Sequence, residues 1–338
     1  MGRTLDPDFR REGRQIFADA LSRFADRDGR SRIVQISTFM AQPLTVAVRG
    51  RRGVGVRTVS AALAGRGISV VDDADGYDVA VLVITEVAKP EDLAALADLH
   101  GAGTPVVVVL NKADLAGSGP GGPMATAHRR AAELRQLTGV PVVPMAALLA
   151  AATPTAGDMA ALRALATEPG DLSSADAFVS RPHRVAREVR AGLLAAFDRF
   201  GIAHAVVAVD GGADVDVVTE RLRGLSEVDR VLAALDAVSA PLRYHRVRRA
   251  LAELRAVGGE AVGEFLAADE TVVAVMAAAV DVVAAAGLTV DPGSDAGAHL
   301  RRARYWQRYS RGPVNALHRS CGADIARGSL RLLGQVSG

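Results

Sequence analysis

The chain has 338 residues, 49% of them hydrophobic, enough for about two domains with sizeable cores. Its 40 basic and 38 acidic side chains leave a net charge of +2, which argues against a chain-wide nucleic-acid binder. A single cysteine, Cys321, excludes a disulfide framework and a multi-cysteine metal site. Together with an N-terminus too charged for a signal peptide, it points to the cytoplasm.

Residues 8–30 place Phe9, Ile16, Phe17, Leu21 and Phe24 near helical spacing, which predicts an amphipathic helix within an N-terminal segment, 1–42. From 43 to 155, apolar runs alternate with helical segments. Strands are predicted at Leu44–Val48, Ile68–Val71, Val79–Ile84, Val106–Leu110 and Val140–Pro144, and helices at 58–65, 90–102 and 126–138. The run Val106–Leu110 is apolar on both faces, as in a parallel strand covered by helices on each side. The alternation predicts a doubly wound, mostly parallel α/β domain, with ligands outside the carboxyl ends of its strands.

Beyond 155 the strand pattern fades. "TPTAGDM" and "EPGDLSSADAFVSRP" read as loop or linker, and the rest of 156–338 as a helical domain. Its helices are predicted at 182–200, 214–223, 226–237, 240–257, 260–286 and 295–309, with "VDGGADVD" and "AVGGEAVG" as breaks. The segment 271–290 has the length of a membrane span. Its alanine content and the central Asp281 favour a buried helix instead.

Three stretches carry chemistry. "GRRGVGVRT", 50–58, follows the first strand and opens a helix, the layout of a phosphate loop G-x-x-x-x-G-K-[ST]. Gly50, Gly53 and Gly55 let backbone N–H groups approach a phosphate chain. Val56 stands at the lysine position and Arg57 at the hydroxyl position, so Arg57 and Thr58 offer charge and a hydroxyl in displaced geometry. The bland alternative is a glycine-rich turn. Asp73-Ala74-Asp75-Gly76 has the D-x-x-G form, with Thr58 and Asp73 as candidate Mg²⁺ ligands; alternatively it is an acidic turn. "NKAD", Asn111-Lys112-Ala113-Asp114, follows the most apolar strand and uses one of only two lysines, Lys89 being the other.

N-K-x-D after a hydrophobic strand, behind a glycine loop and D-x-x-G, makes residues 43–155 resemble the P-loop GTPase superfamily. The resemblance implies guanine recognition: Asp114 accepts two hydrogen bonds from the base, the Lys112 stem lies over it, and Asn111 braces the loop. It implies GTP or GDP as ligand and Mg²⁺ as cofactor. Met145-Ala146-Ala147-Leu148 stands where the family has a short base-contacting loop. The departures are specific. Val56 supplies no ammonium, and fifteen positions from Thr58 to Asp73 leave no room for a switch I loop and an extra edge strand. Losing those charges removes most of the stabilisation of phosphoryl transfer, so efficient hydrolysis is not expected.

Residues 193–257 are similar to the helical region of actinobacterial dynamin-like GTPases, on a Phe-Gly-Ile turn at 200–202, the "LSEVDRVLAAL" stretch and an arginine-rich helix. That likeness implies self-association or a protein partner through the helical domain. The segment 299–333, with eight arginines, one acid and Tyr305, Trp306 and Tyr309, reads either as a peripheral docking surface for anionic lipid, nucleic acid or an acidic partner, or as a basic helix whose aromatics pack inward; the second is favoured, and nucleic acid is not an expected partner. The reading is therefore a degenerate GTPase that binds guanine nucleotide weakly or conditionally as a scaffold or regulator. The alternatives are an active dynamin-like GTPase using Arg57 and Thr58, and a nucleotide-free interaction module.

Overall fold

Two unbroken apolar runs, Val79–Ile84 and Val106–Leu110, form the centre of the sheet, because only strands covered on both faces bury every side chain. In the computed structural model, which describes residues 7–72, 76–117 and 119–337 (without the side chains of 7–16 and 337), these are β3, Val79–Thr85, and β4, Val106–Asn111. Six of the seven residues of β3 and all six of β4 are buried. With β1 (Thr45–Gly50), β2 (Ser69–Val71) and β5 (Val142–Met145) they make a five-stranded sheet in the order β2-β1-β3-β4-β5. Every pairing is parallel. The connections are α3 (Val56–Ala64), α4 (Pro90–Gly101) and α5 (Gly122–Thr138). Leu82, Ile84, Val108 and Leu110 pack with Leu96 and Leu99 of α4 and Ala127 and Ala131 of α5.

The contacts divide the chain into two compact units: Leu44–Leu235, and Met1–Pro43 together with Asp236–Gly338. This differs from a division at 155, and the packing explains it. The helices α6 (Ala147–Ala150), α7 (Ala156–Thr167), α8 (Ala175–Ser180), α9 (Arg187–Asp210) and α10 (Val215–Ser226) build a second core beside the sheet from Leu149, Leu162, Leu165, Phe178, Leu193, Phe197, Ile202 and Leu222. The Ala146 N–H, at the end of β5, donates to the Ser226 carbonyl at 3.1 Å, tying the sheet to the end of α10. Loop-like composition hid α7. Thr155 starts it with a reciprocal cap, donating its N–H to Asp158 at 2.8 Å and accepting from the Asp158 N–H at 3.1 Å. Likewise Ser174 caps α8 through the Ala177 N–H.

The Phe-Gly-Ile stretch is helical rather than a turn. Gly201 lies inside α9, where a Cβ would meet Leu149 Cδ2 at 2.6 Å. The break in α9 falls instead at Asp198, whose φ of 51° and ψ of 175° are unfavourable for a residue with a side chain. Among the described residues α9 is the one helix long and apolar enough to cross a membrane, by length and composition.

In the all-helical unit, α1 (Pro7–Asp28) and α2 (Ser31–Ala41) share a core with the later helices, which their order along the sequence does not reveal. Phe24 stacks on Phe265 with ring centroids 4.6 Å apart. These later helices are α11 (Val228–Val257, mostly within this unit), α12 (Glu260–Ala267), α13 (Asp269–Ala285), α14 (Ala296–Ser310) and α15 (Ala316–Ser337). Most of the span-like segment forms α13, which is buried from Thr271 to Val283 except at the half-buried Val273. In the basic segment 299–333, Trp306 is 1% exposed and Tyr309 is part-buried, its hydroxyl 2.7 Å from His318 Nδ1, while Tyr305 is exposed. The Arg302 guanidinium is buried, donating to Ser329 Oγ, the Asp291 and Gly293 carbonyls and His299 Nδ1.

Candidate functional site

In a sheet of order 2-1-3-4-5 the chain leaves β1 for one side and then for the other, which opens a crevice at the carboxyl ends of β1 and β3. Gly50 is the last residue of β1 and pairs with Val83 of β3, so the glycine loop sits at that crevice. A side chain at Gly50 is excluded: a Cβ would lie 2.5 Å from the Val83 carbonyl and 2.9 Å from Val54 Cγ2. Gly53 and Gly55 have φ of 89° and 94°, which glycine adopts without strain. Gly55 also caps α3 and leaves no room for a methyl group beside Asn111 Nδ2.

β4 delivers Asn111 to the same end of the sheet. Its buried side-chain amide donates to the Val54 carbonyl at 2.9 Å, and its Oδ1 accepts from the Ala147 N–H at 3.2 Å. One side chain thus links the glycine loop, β4 and the segment after β5. Lys112 follows with a left-handed φ of 57° and donates its ammonium to the Gly53 carbonyl at 3.0 Å. Asp114 lies in the single 3₁₀ turn Ala113–Leu115. Burial pushes its carboxyl up from the usual carboxylate range, the negative charge of Asp198 adds to this, and Lys112 partly opposes it. Asn111, Lys112 and Asp114 are therefore gathered with Gly50, Gly53 and Gly55.

The side expected to face phosphate is built otherwise. Val56 turns a methyl group toward Gly50, where the same hypothetical Cβ would meet Val56 Cγ2 at 3.2 Å. Arg57 is exposed in the first turn of α3 and Thr58 beside it is part-buried. Arg51 is tethered to the buried Asp92 at 2.8 Å, and Asp92 in turn accepts from the Lys89 N–H at 2.9 Å. Arg52 is exposed on the loop.

Gly76 is not brought to this end. It precedes by two residues Asp78, whose carboxylate accepts from the Thr45 N–H at 2.9 Å, at the amino end of β1. β3 runs parallel to β1 and starts with Val79 opposite Val46, so the residues that lead directly into it lie at that end. Asp73 lies outside the described residues. No group of three or more His, Cys, Asp or Glu able to hold a metal ion occurs among the described residues. Of the two expected Mg²⁺ ligands, Thr58 lies in the first turn of α3.

The chain matches no protein-family model, no curated protein and no solved structure. Sequence patterns missed Arg52, the Arg51–Asp92 tether and Asp198. Asp92 stands three residues after Lys89 at a helix start, the spacing of a cap, which offered a signal for it. Asp198 is 84 residues from Asp114 in the chain and carries no local signal.

Proposed function

We propose that the sheet unit is a degenerate P-loop GTPase-like module that binds guanine nucleotide, GTP or GDP, weakly or conditionally, without efficient turnover, and serves as a scaffold or regulator. The observation that carries this reading is the pair of bonds from Asn111 and Lys112 to the Val54 and Gly53 carbonyls. They fix the glycine loop to the N-K-x-D segment, as a nucleotide spanning both ends requires. The five-stranded parallel sheet, lacking the superfamily's extra edge strand, is compatible with this.

Asp114 is left available in the way a base reader must be. Its desolvated carboxylate accepts readily from guanine's ring N–H and exocyclic amine, whereas adenine offers an acceptor where guanine offers a donor. The phosphate chain would meet the backbone N–H groups of the loop and the amino end of α3. Arg52 and Arg57 supply positive charge nearby. Val56 stands where the superfamily's loop has the lysine that neutralises charge in the transition state, which favours binding over hydrolysis. The helical unit is the natural place for a protein partner or self-association.

Titration of the full chain with fluorescent GTP, GDP and ATP, with and without Mg²⁺, tests the reading. Guanine nucleotides are expected to bind in preference to ATP with negligible phosphate release. Asp114→Asn is expected to weaken GDP by roughly 10–100-fold, the loss of hydrogen bonds to a charged acceptor, while leaving ATP unchanged. Absence of binding at high micromolar nucleotide, or a guanine preference that survives Asp114→Asn, overturns it.

A further inference from the structure

The all-helical unit holds a second, unrelated concentration of charge. On α11, Arg248, Leu251 and Arg255 are spaced i, i+3, i+7 and share a face. On α15, Asp324 and Arg327 are spaced i, i+3. With Leu266 of α12 and Thr271, Val272 and Val275 of α13 they line a cavity of about 50 Å³. That volume holds a few water molecules or one small ion, and no nucleoside.

Its charges do not cancel. Asp324 is the only acid of the lining, and its carboxylate already accepts from the Tyr244 hydroxyl at 2.7 Å and from Arg248 at 3.2 Å. Arg255 and Arg327 form no ion pair or side-chain hydrogen bond with any other described residue. Thr271, 2% exposed at the first turn of α13, has a buried hydroxyl with no partner among the described residues. An unsatisfied buried hydroxyl is costly unless something fills its bonding capacity. Thr271 also borders a wider cavity of about 400 Å³ between α1, α12 and α13, whose charged lining is mixed and shows no comparable excess of cations.

We propose that this cavity is a binding site for a phosphate-type oxyanion. Arg255 and Arg327 neutralise its charge, Arg248 is shared with Asp324, and the Thr271 hydroxyl donates to one oxygen. Guanidinium forks match the planar pairs of oxygens on such an ion, and the short apolar walls of Leu251, Val272 and Val275 strengthen the attraction by excluding water. The ion is either free phosphate or the phosphoryl end of a monoester whose organic part projects from the mouth.

Thermal unfolding of the full chain in inorganic phosphate, against chloride at matched ionic strength, tests the site. Phosphate well above its dissociation constant is expected to raise Tm by roughly a few degrees. The rise is expected to vanish in Arg255→Gln/Arg327→Gln; both residues are exposed, so the variant should fold, and its circular dichroism spectrum checks this. Thr271→Val is expected to raise the basal Tm while shrinking the phosphate effect, a pairing that packing alone does not produce. Arg57→Gln, at the glycine loop, should leave the effect intact. Glycerol 3-phosphate separates the two sources: an effect larger than that of phosphate assigns a monoester, and a smaller one the free ion. A phosphate effect that survives the double arginine variant, one that is lost in Arg57→Gln instead, or no effect from either ligand overturns the proposal. Loss in Arg57→Gln would place the ion at the glycine loop; the other outcomes leave guanine binding by the sheet unit untouched.

Discussion

Two ends of one glycine loop are held by different physics. At the base side, Asn111 and Lys112 bond the loop's own carbonyls, and the pieces they join come from β1, β4 and the segment after β5. At the phosphate side, Val56 rests a methyl group near Gly50, and the cations Arg52 and Arg57 stand in solvent. The first arrangement is structural: removing it breaks the packing of the sheet's carboxyl end. The second carries no such load. Under the proposed function, a site that lacks the catalytic groups would still keep the frame around Asp114, because that frame is needed for the fold whether or not a nucleotide binds.

That contrast predicts its own largest effect. Asn111→Ala strips the partners from the buried Val54 carbonyl and Ala147 N–H at once. Chemical denaturation is expected to show a loss of about 2–4 kcal/mol, since each stranded buried group costs about 1–3 kcal/mol. Arg57→Ala, by the same measurement, should change stability by less than about 0.5 kcal/mol, as exposed substitutions usually do. Equal effects at the two positions would mean that the two ends of the loop are not held differently.

A smaller effect comes from rebuilding the weaker end. Val56→Lys returns an ammonium to the loop that the base side already holds in shape. Triphosphate affinity is expected to rise by about tenfold, the worth of one charge-assisted bond of roughly 1.5 kcal/mol, with GTP gaining more than guanosine. An equal gain for guanosine, or no gain for GTP, would show that the phosphates do not lie over the loop.

How much of this was visible in the residues themselves follows the range of the forces involved. β3 and β4 were legible because full burial writes an unbroken apolar run, and α3, α4 and α5 because they sit in the gaps between such runs. Asn111, Lys112 and Asp114 stood out as a rare combination at the end of β4. What stayed hidden was settled by contacts distant in sequence. The pairing of α1 and α2 with the later helices rests on rings such as Phe24 and Phe265, and the assignment of α7–α10 to the sheet unit on contacts such as Ala146 with Ser226. Gly76 looked like part of a nucleotide site by spacing alone; the direction of β3 sends it to the other end of the sheet. Asp198 lies within a stretch that composition reads as plain helix, and only the fold shows its strained φ and its influence on Asp114.

The smallest effect concerns that influence, and its sign follows from linkage. The Asp114 carboxyl is held above its ordinary range by burial first and by Asp198 second. Between the unfolded and the folded pKa the native state holds the extra proton, so stability falls as pH rises through that window and stays lower above it. The amide introduced by Asp114→Asn has no proton to lose. The variant is therefore expected to match the parent at acidic pH, where Asp114 is neutral in both states, and to exceed it once the folded carboxyl ionises. Asp198→Asn should shift the same divergence to lower pH by removing one of its two causes. Guanine reverses the preference, because its two N–H donors stabilise the ionised carboxylate. GDP affinity is therefore expected to rise with pH across the window in the parent and to stay flat in Asp114→Asn. Stability curves for the parent and Asp114→Asn that run parallel from acid to neutral pH would remove the buried charge from the base side, and with it the reason for expecting guanine there rather than any purine.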